Sequence, residues 1–280
     1  MRNLTIGLIL LLSATALFAA DNAGTTSGAF LGLGLGARPL ALGNAFVAVA
    51  DDGSALFFNP AGLATLQKPE LQSMYTNWFV DTRYGALSLA APGCAFAAAY
   101  LDYGRINETT LAQPGGTGGS FSSGALSYRC GFGKNVSPLF AWGLGLKLFG
   151  EYLGSSDAVG YGVDAGLLWR LPERNLTVGL AATNLLGQFT GEISRSLTLG
   201  IAAKFAYCRP ALDLCYATDY GLRTRAGVEL DINGMLYPRC GYDSGKVSLG
   251  FGLLLSRVGF DYAYLSAGDL GATHRFSLKI

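Results

Sequence analysis

From Phe140 onward the chain repeats one pattern, with large apolar residues at every second position and small or charged residues between them. In Phe140–Leu148 the even positions are Phe, Trp, Leu, Leu and Leu, while the odd ones are Ala, Gly, Gly and Lys. Tyr161, Val163, Ala165, Leu167 and Trp169 continue it, with Asp164 and Arg170 on the other face. So do Leu197 to Phe205 opposite Thr198, Gly200 and Lys204, Ala226 to Ile232 opposite Arg225, Glu229 and Asp231, and Val247 to Leu255 opposite Ser248, Gly250 and Gly252. A period of two is a strand's. A soluble sandwich would turn its polar face outward and keep charges out of its core. Here one face is greasy in strand after strand and the other carries glycine, serine and charge, which is the pattern of a membrane barrel.

Charge supports this reading. Only 14% of the 280 residues are charged, against about 25% in a soluble domain, too few to cover a water-facing surface. Beyond the N-terminus no apolar run reaches the roughly 18 residues of a membrane helix, and a closed barrel is the other structure that satisfies its backbone within a bilayer. Forty glycines without a Gly-X-Y period point to curved, closely packed strands. The net charge of +1, with no basic stripe, argues against a nucleic-acid partner. Five cysteines (Cys94, Cys130, Cys208, Cys215 and Cys240) lack CxxC spacing and read as small wall residues, with one exported disulfide left open.

Turn signals divide the chain into about fourteen strands, at 70–80, 82–91, 94–103, 120–132, 139–153, 160–171, 175–186, 195–208, 211–220, 223–232, 236–243, 246–255, 258–266 and 273–280. If residue 70 starts on the periplasmic side, the turns there are short: 92–93, 134–138, 172–175, 209–210, 233–234 and 256–257. The longer loops, 104–119, 154–159, 187–194 and 267–272, then fall outside, as bacterial barrels require. The expected fold is all-β, a transmembrane antiparallel barrel with a short N-terminal plug. Its divisions are a signal peptide at 1–20, a plug at 21–69 and the barrel at 70–280. The first division rests on Arg2, the apolar run Leu4 to Leu12 and the small residues that follow, with cleavage after Ala16, Ala19 or Ala20. An outer-membrane location with both termini periplasmic follows.

Alternation assigns Arg129, Lys147, Arg170, Lys204, Arg225, Arg239, Arg275 and Lys279 to the lumen, against Glu151, Asp164, Asp213, Asp219, Glu229, Asp231, Asp243 and Asp261. The two sets nearly cancel, which suits cross-lumen pairing better than an open ion-selective pore. Charges near strand ends are equally compatible with solvation. Trp142, Trp169, Tyr152, Tyr207, Tyr216 and Tyr262 point outward as candidate interfacial girdles. No catalytic role is expected. His274 is the single histidine, so zinc sites and Ser-His-Asp triads lack partners. Gly32–Gly36 lacks the spacing and setting of a dinucleotide loop and reads as flexible backbone. No metal or cofactor is expected.

Residues 30–66 break the pattern. A Gly-rich entry and an apolar stretch lead to Asp51-Asp52-Gly53, a natural helix start, and Asn59-Pro60 then redirects the chain. Asn59, Asp51 and Asp52 are expected to fix turns by side-chain bonds to the backbone. An apolar segment this long, placed before the first strand, is accommodated best inside the lumen, as a plug.

The run Gly36-Ala37-Arg38-Pro39, Leu42-Gly43-Asn44-Ala45-Phe46, Ala50-Asp51-Asp52 and Asn59-Pro60-Ala61-Gly62-Leu63 resembles the N-terminal hallmark of the PorV/PorQ family of outer-membrane proteins. That family is similar to the FadL-type long-chain fatty-acid transporters. Gly268 to Gly271 and Thr273 to Leu278 resemble its last loop and closing strand. The resemblance implies a 14-stranded barrel with an N-terminal hatch bearing Gly36, Arg38, Pro39, Gly43, Asn44, Asp51, Asp52, Asn59, Pro60, Ala61 and Gly62 in a structural or gating role. It also implies one of two functions, besides which stands a structural barrel without cargo. The first is an accessory of type IX-like secretion or surface assembly, whose partners are exported cargo or secretion-machinery components. The second is passage of a hydrophobic ligand such as a long-chain fatty acid, through the hatch and the Ala-rich wall at 95–99. Outer-membrane lipid is a partner in every case. The chain departs from both groups in being short, with reduced outer loops, and in closing on Lys279-Ile280 instead of an aromatic residue.

Overall fold

Period-two alternation becomes a closed wall in the computed structural model, which describes residues 26–78, 81–266 and 271–280. Fourteen strands form it: β1 (Glu70–Asn77), β2 (Arg83–Ala91), β3 (Cys94–Asn107), β4 (Ser120–Asn135), β5 (Phe140–Leu153), β6 (Ser156–Leu171), β7 (Leu176–Gln188), β8 (Ser196–Ala203), β9 (Cys208–Ala217), β10 (Gly221–Leu230), β11 (Leu236–Asp243), β12 (Lys246–Leu255), β13 (Val258–Ser266) and β14 (Ala272–Lys279). Each pairs antiparallel with its sequence neighbours, and β1 pairs with β14 to close the barrel. Closure leaves no edge with unpaired backbone groups. The large apolar set faces outward and is exposed, as at Leu146, Leu148, Leu167, Trp169, Leu197 and Leu199. Its small and charged complement is buried.

Most strand limits fall within a few residues of the expected ones, and two turns differ. The expected loop at 154–159 is a two-residue turn, because β6 begins at Ser156 and pairs Ser156 with Leu153. The expected turn at Arg209-Pro210 lies inside β9, and the chain reverses at 204–207 instead. Pro210 is tolerated there because pairing to β8 ends at Ala202–Ala211, so no N–H is required of it on that side. Lys204 is consequently an exposed turn residue beyond the end of β8, where it borders the short-turn end of the lumen. All five cysteines are free, and Cys94, Cys130 and Cys240 are exposed.

Residues 26–66 run through the lumen from one rim to the other. At the rim of the longer loops, Ser27 bridges Ile193 in parallel and donates its N–H to Glu192 at 2.9 Å. A 3-10 turn (Ala29–Leu33) leads down to α1 (Ala37–Ala41), which packs on β11 to β14. The chain then circles past β10 to β7, forms α2 (Ala55–Phe58) and a 3-10 helix (Pro60–Thr65) against β4 to β6, and leaves at the short-turn rim to begin β1. Ile280 pairs with Leu71 at that same short-turn rim. Thr26, the first described residue, and Ile280 thus lie at opposite rims. The proposed signal peptide lies outside the described residues, as do residues 79–80 of the expected first strand and Gly268 to Leu270 of the last-loop motif.

Glycine makes this course feasible. The hatch backbone lies directly against inward-facing glycines: Gly143 beneath Pro60-Ala61, Gly179 and Gly200 beneath Val47-Ala48, and Gly227 and Gly241 beneath Leu42-Gly43, while Gly166 makes room for the Asn59 side chain. A Cβ on Gly179 would sit 2.6 Å from the Val47 carbonyl oxygen, inside van der Waals contact. The alanines of β3 act in the same way. Ala95, Ala97 and Ala99 face inward and pack with the hatch core of Leu35, Leu42, Phe46, Leu56 and Leu63. They are packed wall, which leaves no opening at 95–99. Each fully buried Leu or Phe in that core contributes about 1.5–3 kcal/mol.

Candidate functional site in the divided lumen

The hatch divides the lumen into two cavities with no lining residue in common.

The familiar run is largely the partition's fastening. Gly36 (φ 99°) and Gly43 (φ 62°) take the left-handed region, where a side chain is strained. Asn44 joins them at φ 59° and donates its amide to Asp243 at 3.2 Å. Pro39 sits in the first turn of α1, where a missing N–H costs nothing. The Ala37 N–H donates to the Ser277 hydroxyl at 2.9 Å. Asn59 is wholly buried and makes three bonds. Its Oδ1 accepts the Ala61 N–H at 3.1 Å, and its Nδ2 donates to the carbonyls of Val47 (2.9 Å) and Leu167 (3.0 Å). It therefore ties the turn at Pro60 to both the hatch interior and the barrel. Gly62 leaves room for the Ala50 carbonyl, and Ala61 is buried under β5 and β6.

Asp52 fixes a turn as expected, with Oδ1 accepting from the Ser54 N–H at 3.0 Å and the Ser54 hydroxyl at 2.5 Å. Asp51 does not. The helix begins after Ser54 without a side-chain cap, and Asp51 serves an ionic latch instead. Arg38 is its centre. One guanidinium nitrogen reaches Asp51 at 2.6 Å and Asp52 at 2.9 Å, and the other two grip Glu229 of β10 at 2.8 and 2.9 Å. Arg209 of β9 takes the second oxygen of Asp51 at 2.5 Å. Arg239 of β11 joins Glu229 at 2.7 Å to Asp261 of β13 at 2.5 Å. Burial alone would raise the Asp51 carboxyl, but the guanidiniums of Arg38 and Arg209 hold it far below the usual carboxylate range. Bidentate, charge-assisted bonds of this kind are the strong ones.

A cavity of about 280 Å³ lies beside this latch at the short-turn end, lined by Arg38, Asp51, Arg209, Glu229, Tyr237 and Arg239 among others. The larger cavity, about 550 Å³, lies at the longer-loop end. Phe30, Leu31, Leu33, Phe57 and Phe58 of the hatch wall it, with Trp78 and Leu101 of the barrel side. Its size suits a small-molecule site, and it is apolar on the hatch side. The barrel side adds polar groups, among them Asn184, Ser194, Thr198, Asp219, Arg223 and Arg225. Arg129 is buried, lies 4.3 Å from the Phe57 ring centroid and donates one bond to the Leu31 carbonyl at 2.8 Å. Its Nε has no partner, nor has Asn184 Oδ1. Arg223 stacks over Tyr220 at 3.7 Å. Lys147 is closed off in an ion pair with Asp164, at 2.7 and 2.8 Å. Asp164 also accepts the Asn184 N–H where β6 and β7 lose register.

Of the expected lumen charges, Lys147, Asp164, Asp213 and Glu229 are buried, and Glu151, Arg170 and Arg225 are half-buried. Asp213 binds the hatch, accepting the N–H groups of Phe46 (2.9 Å) and Val47 (3.0 Å). Arg225 faces Asp243 at 3.4 Å, a distance without hydrogen-bond alignment. Arg129 had the same inward parity but nothing in its neighbours marked it as special, since Phe57 lies 72 positions away in the sequence. Among the described residues, no group of three or more His, Cys, Asp or Glu could hold a metal.

The family model described as an uncharacterised protein family (UPF0164) matches residues 16–96. No curated protein matches the sequence. Among solved structures, the chain is similar to the Pseudomonas putida toluene transporter TodX, at 17% identity and a TM-score of 0.60 over 88% of this chain and 96% of that one. The Ralstonia pickettii toluene transporter TbuX gives 14% and 0.61 over 88% and 97%. A Pseudomonas aeruginosa FadL homologue gives 13% and 0.51 over 85% and 96%. Identities this low speak for the fold alone: a closed, antiparallel, 14-stranded barrel of the kind these transporters form.

Proposed function

We propose that the protein is an outer-membrane channel for hydrophobic small molecules, with the larger cavity as its binding station. The observation that carries this is Arg129: a buried guanidinium, walled by hatch phenylalanines, with a donor left unused. Burying such a group is costly unless something completes its bonds. An apolar molecule with an acceptor at one end, such as a long-chain fatty acid, fills the walls and the donor together. The neighbouring structures support the hydrophobic part of the reading, two being named as toluene transporters and one as a FadL homologue.

In this reading residues 1–20 are a signal peptide, 21–69 a hatch and 70–280 the membrane barrel, with the short turns in the periplasm. No catalytic step is involved. Purified protein titrated with oleate and with toluene tests it, because Trp78 lines the cavity and reports occupancy by its fluorescence. Saturable quenching by oleate at micromolar concentration is expected, with weaker binding of toluene. No response to either, and no lipid extractable from the purified protein, would overturn it.

Secretion accessory, of PorV/PorQ type, is the second reading, and the run Gly36 to Leu63 favours it. Much of that run already has a fastening role within the hatch, so it does not by itself require cargo. A deletion strain with unchanged secreted and surface proteins removes this reading.

A further inference from the structure

The two rims of the barrel carry different surface charge. At the rim of the longer loops, the exposed charges among the described residues are Asp81, Glu108, Asp157 and Glu192 against Arg83, Arg105, Arg195 and Lys246. At the short-turn rim the exposed charges are Lys68, Lys134, Arg174, Lys204 and Arg257 against Glu173. Three of these cations lie along one arc. Lys134 ends β4, Arg174 ends the 3-10 turn after β6, and Lys204 follows β8. The Lys204 N–H donates to the Asn175 carbonyl at 2.8 Å, which brings the last two turns together. None of the three side chains makes a hydrogen bond or ion pair within the described protein.

Aromatic residues occupy the outer surface along the same arc. Lys134 pairs across the strands with Trp142, which packs edge-on against Phe132 at 5.0 Å. Phe140 pairs with Trp169, and Tyr207 is exposed in the turn after β8, where Lys204 and Phe205 also border the mouth of the smaller cavity. Outward aromatic rings seat at the boundary between acyl chains and headgroups. Free cations just beyond them stand at the level of the phosphates, where each unscreened one is favoured by an anionic surface.

We propose that the β4–β9 arc of the short-turn rim is a docking surface for anionic phospholipid headgroups, with Trp142 and Trp169 at headgroup level and Lys134, Arg174 and Lys204 on the phosphates. The occupant follows from charge complementarity and from continuity with the apolar wall that must already be covered by acyl chains. The proposal is independent of what the lumen carries.

The test uses the whole protein reconstituted in phosphatidylcholine bilayers. Tryptophan quenching by brominated phosphatidylglycerol is compared with quenching by brominated phosphatidylcholine at equal mole fraction. Averaged over all lipids around the barrel, the wild type should prefer the anionic lipid about twofold, and less at high salt. The K134Q/R174Q/K204Q variant should show a ratio near one. R83Q/R105Q/R195Q, at the other rim, should keep the wild-type ratio. All six positions are exposed, and heat-shifted gel mobility verifies that each variant forms the barrel. A wild-type ratio of one, a preference retained by the first variant, or one lost equally by the second would overturn the proposal.

Discussion

On the short-turn side of the hatch, three guanidiniums meet four carboxylates at 2.5–2.9 Å. On the longer-loop side, Arg129 and Asn184 line the larger cavity with bonding capacity to spare. The difference separates two tasks within one lumen. Where charges are mutually satisfied, taking one away leaves others buried and unpaired, so the region resists change. Where a buried donor has nothing to bond, the protein is incomplete without a ligand or tolerates a permanent cost. The first region reads as the fastening of a partition and the second as a place to be occupied.

The contrast predicts opposite phenotypes. Arg38→Met removes the shared partner of Asp51, Asp52 and Glu229, leaving only Arg209 on the first and Arg239 on the last, and should cost about 3–5 kcal/mol, measured as a shift of the chemical-denaturation midpoint. Release of the hatch should also raise ion conductance in planar bilayers well above the wild-type level. Asn59→Ala leaves two carbonyls and one N–H unpaired, at about 2–3 kcal/mol in total, with the same direction in both assays. Arg129→Gln should instead change binding. Oleate affinity should fall about tenfold, roughly 1.4 kcal/mol, while the denaturation midpoint moves by less than for either hatch variant.

Acid gives the smallest effect and a clear sign. The Asp51 carboxyl is held below its unfolded value of about 3.9, so its contribution is complete above that value and is lost as pH falls through the lower folded value. Hatch protection from proteolysis should therefore be flat between pH 8 and 5 and begin to decline only below about pH 4. A decline centred near pH 6 would show that another group controls the latch.

Much of the wall was legible from the sequence because a period of two is a local property. Phe140–Leu148 shows its two faces without reference to any other strand. Strand ends were less legible. Arg209-Pro210 looks like a turn until one sees that β8 has already stopped pairing beside it. The hatch's existence followed from an apolar segment with no strand pattern, whereas its course did not. Nothing in Ser27 indicates that it meets Ile193, and nothing in Arg38 indicates Glu229, 191 positions later. Asp51 is illegible for the same reason: an Asp-Asp-Gly sequence predicts a helix start from local chemistry, and two distant arginines take the carboxylate instead. The glycine belt was visible only as an excess, since a glycine in the sequence does not name the backbone that will lie against it.

Occupancy of the larger cavity is the central claim, and filling it is the most direct test. Ala217 is a buried lining residue there, and Tyr237 lines the smaller cavity. Equilibrium binding of oleate to purified protein should be abolished in Ala217→Trp and unchanged in Tyr237→Trp. Equal binding by both variants, or none by the wild type, would contradict the account.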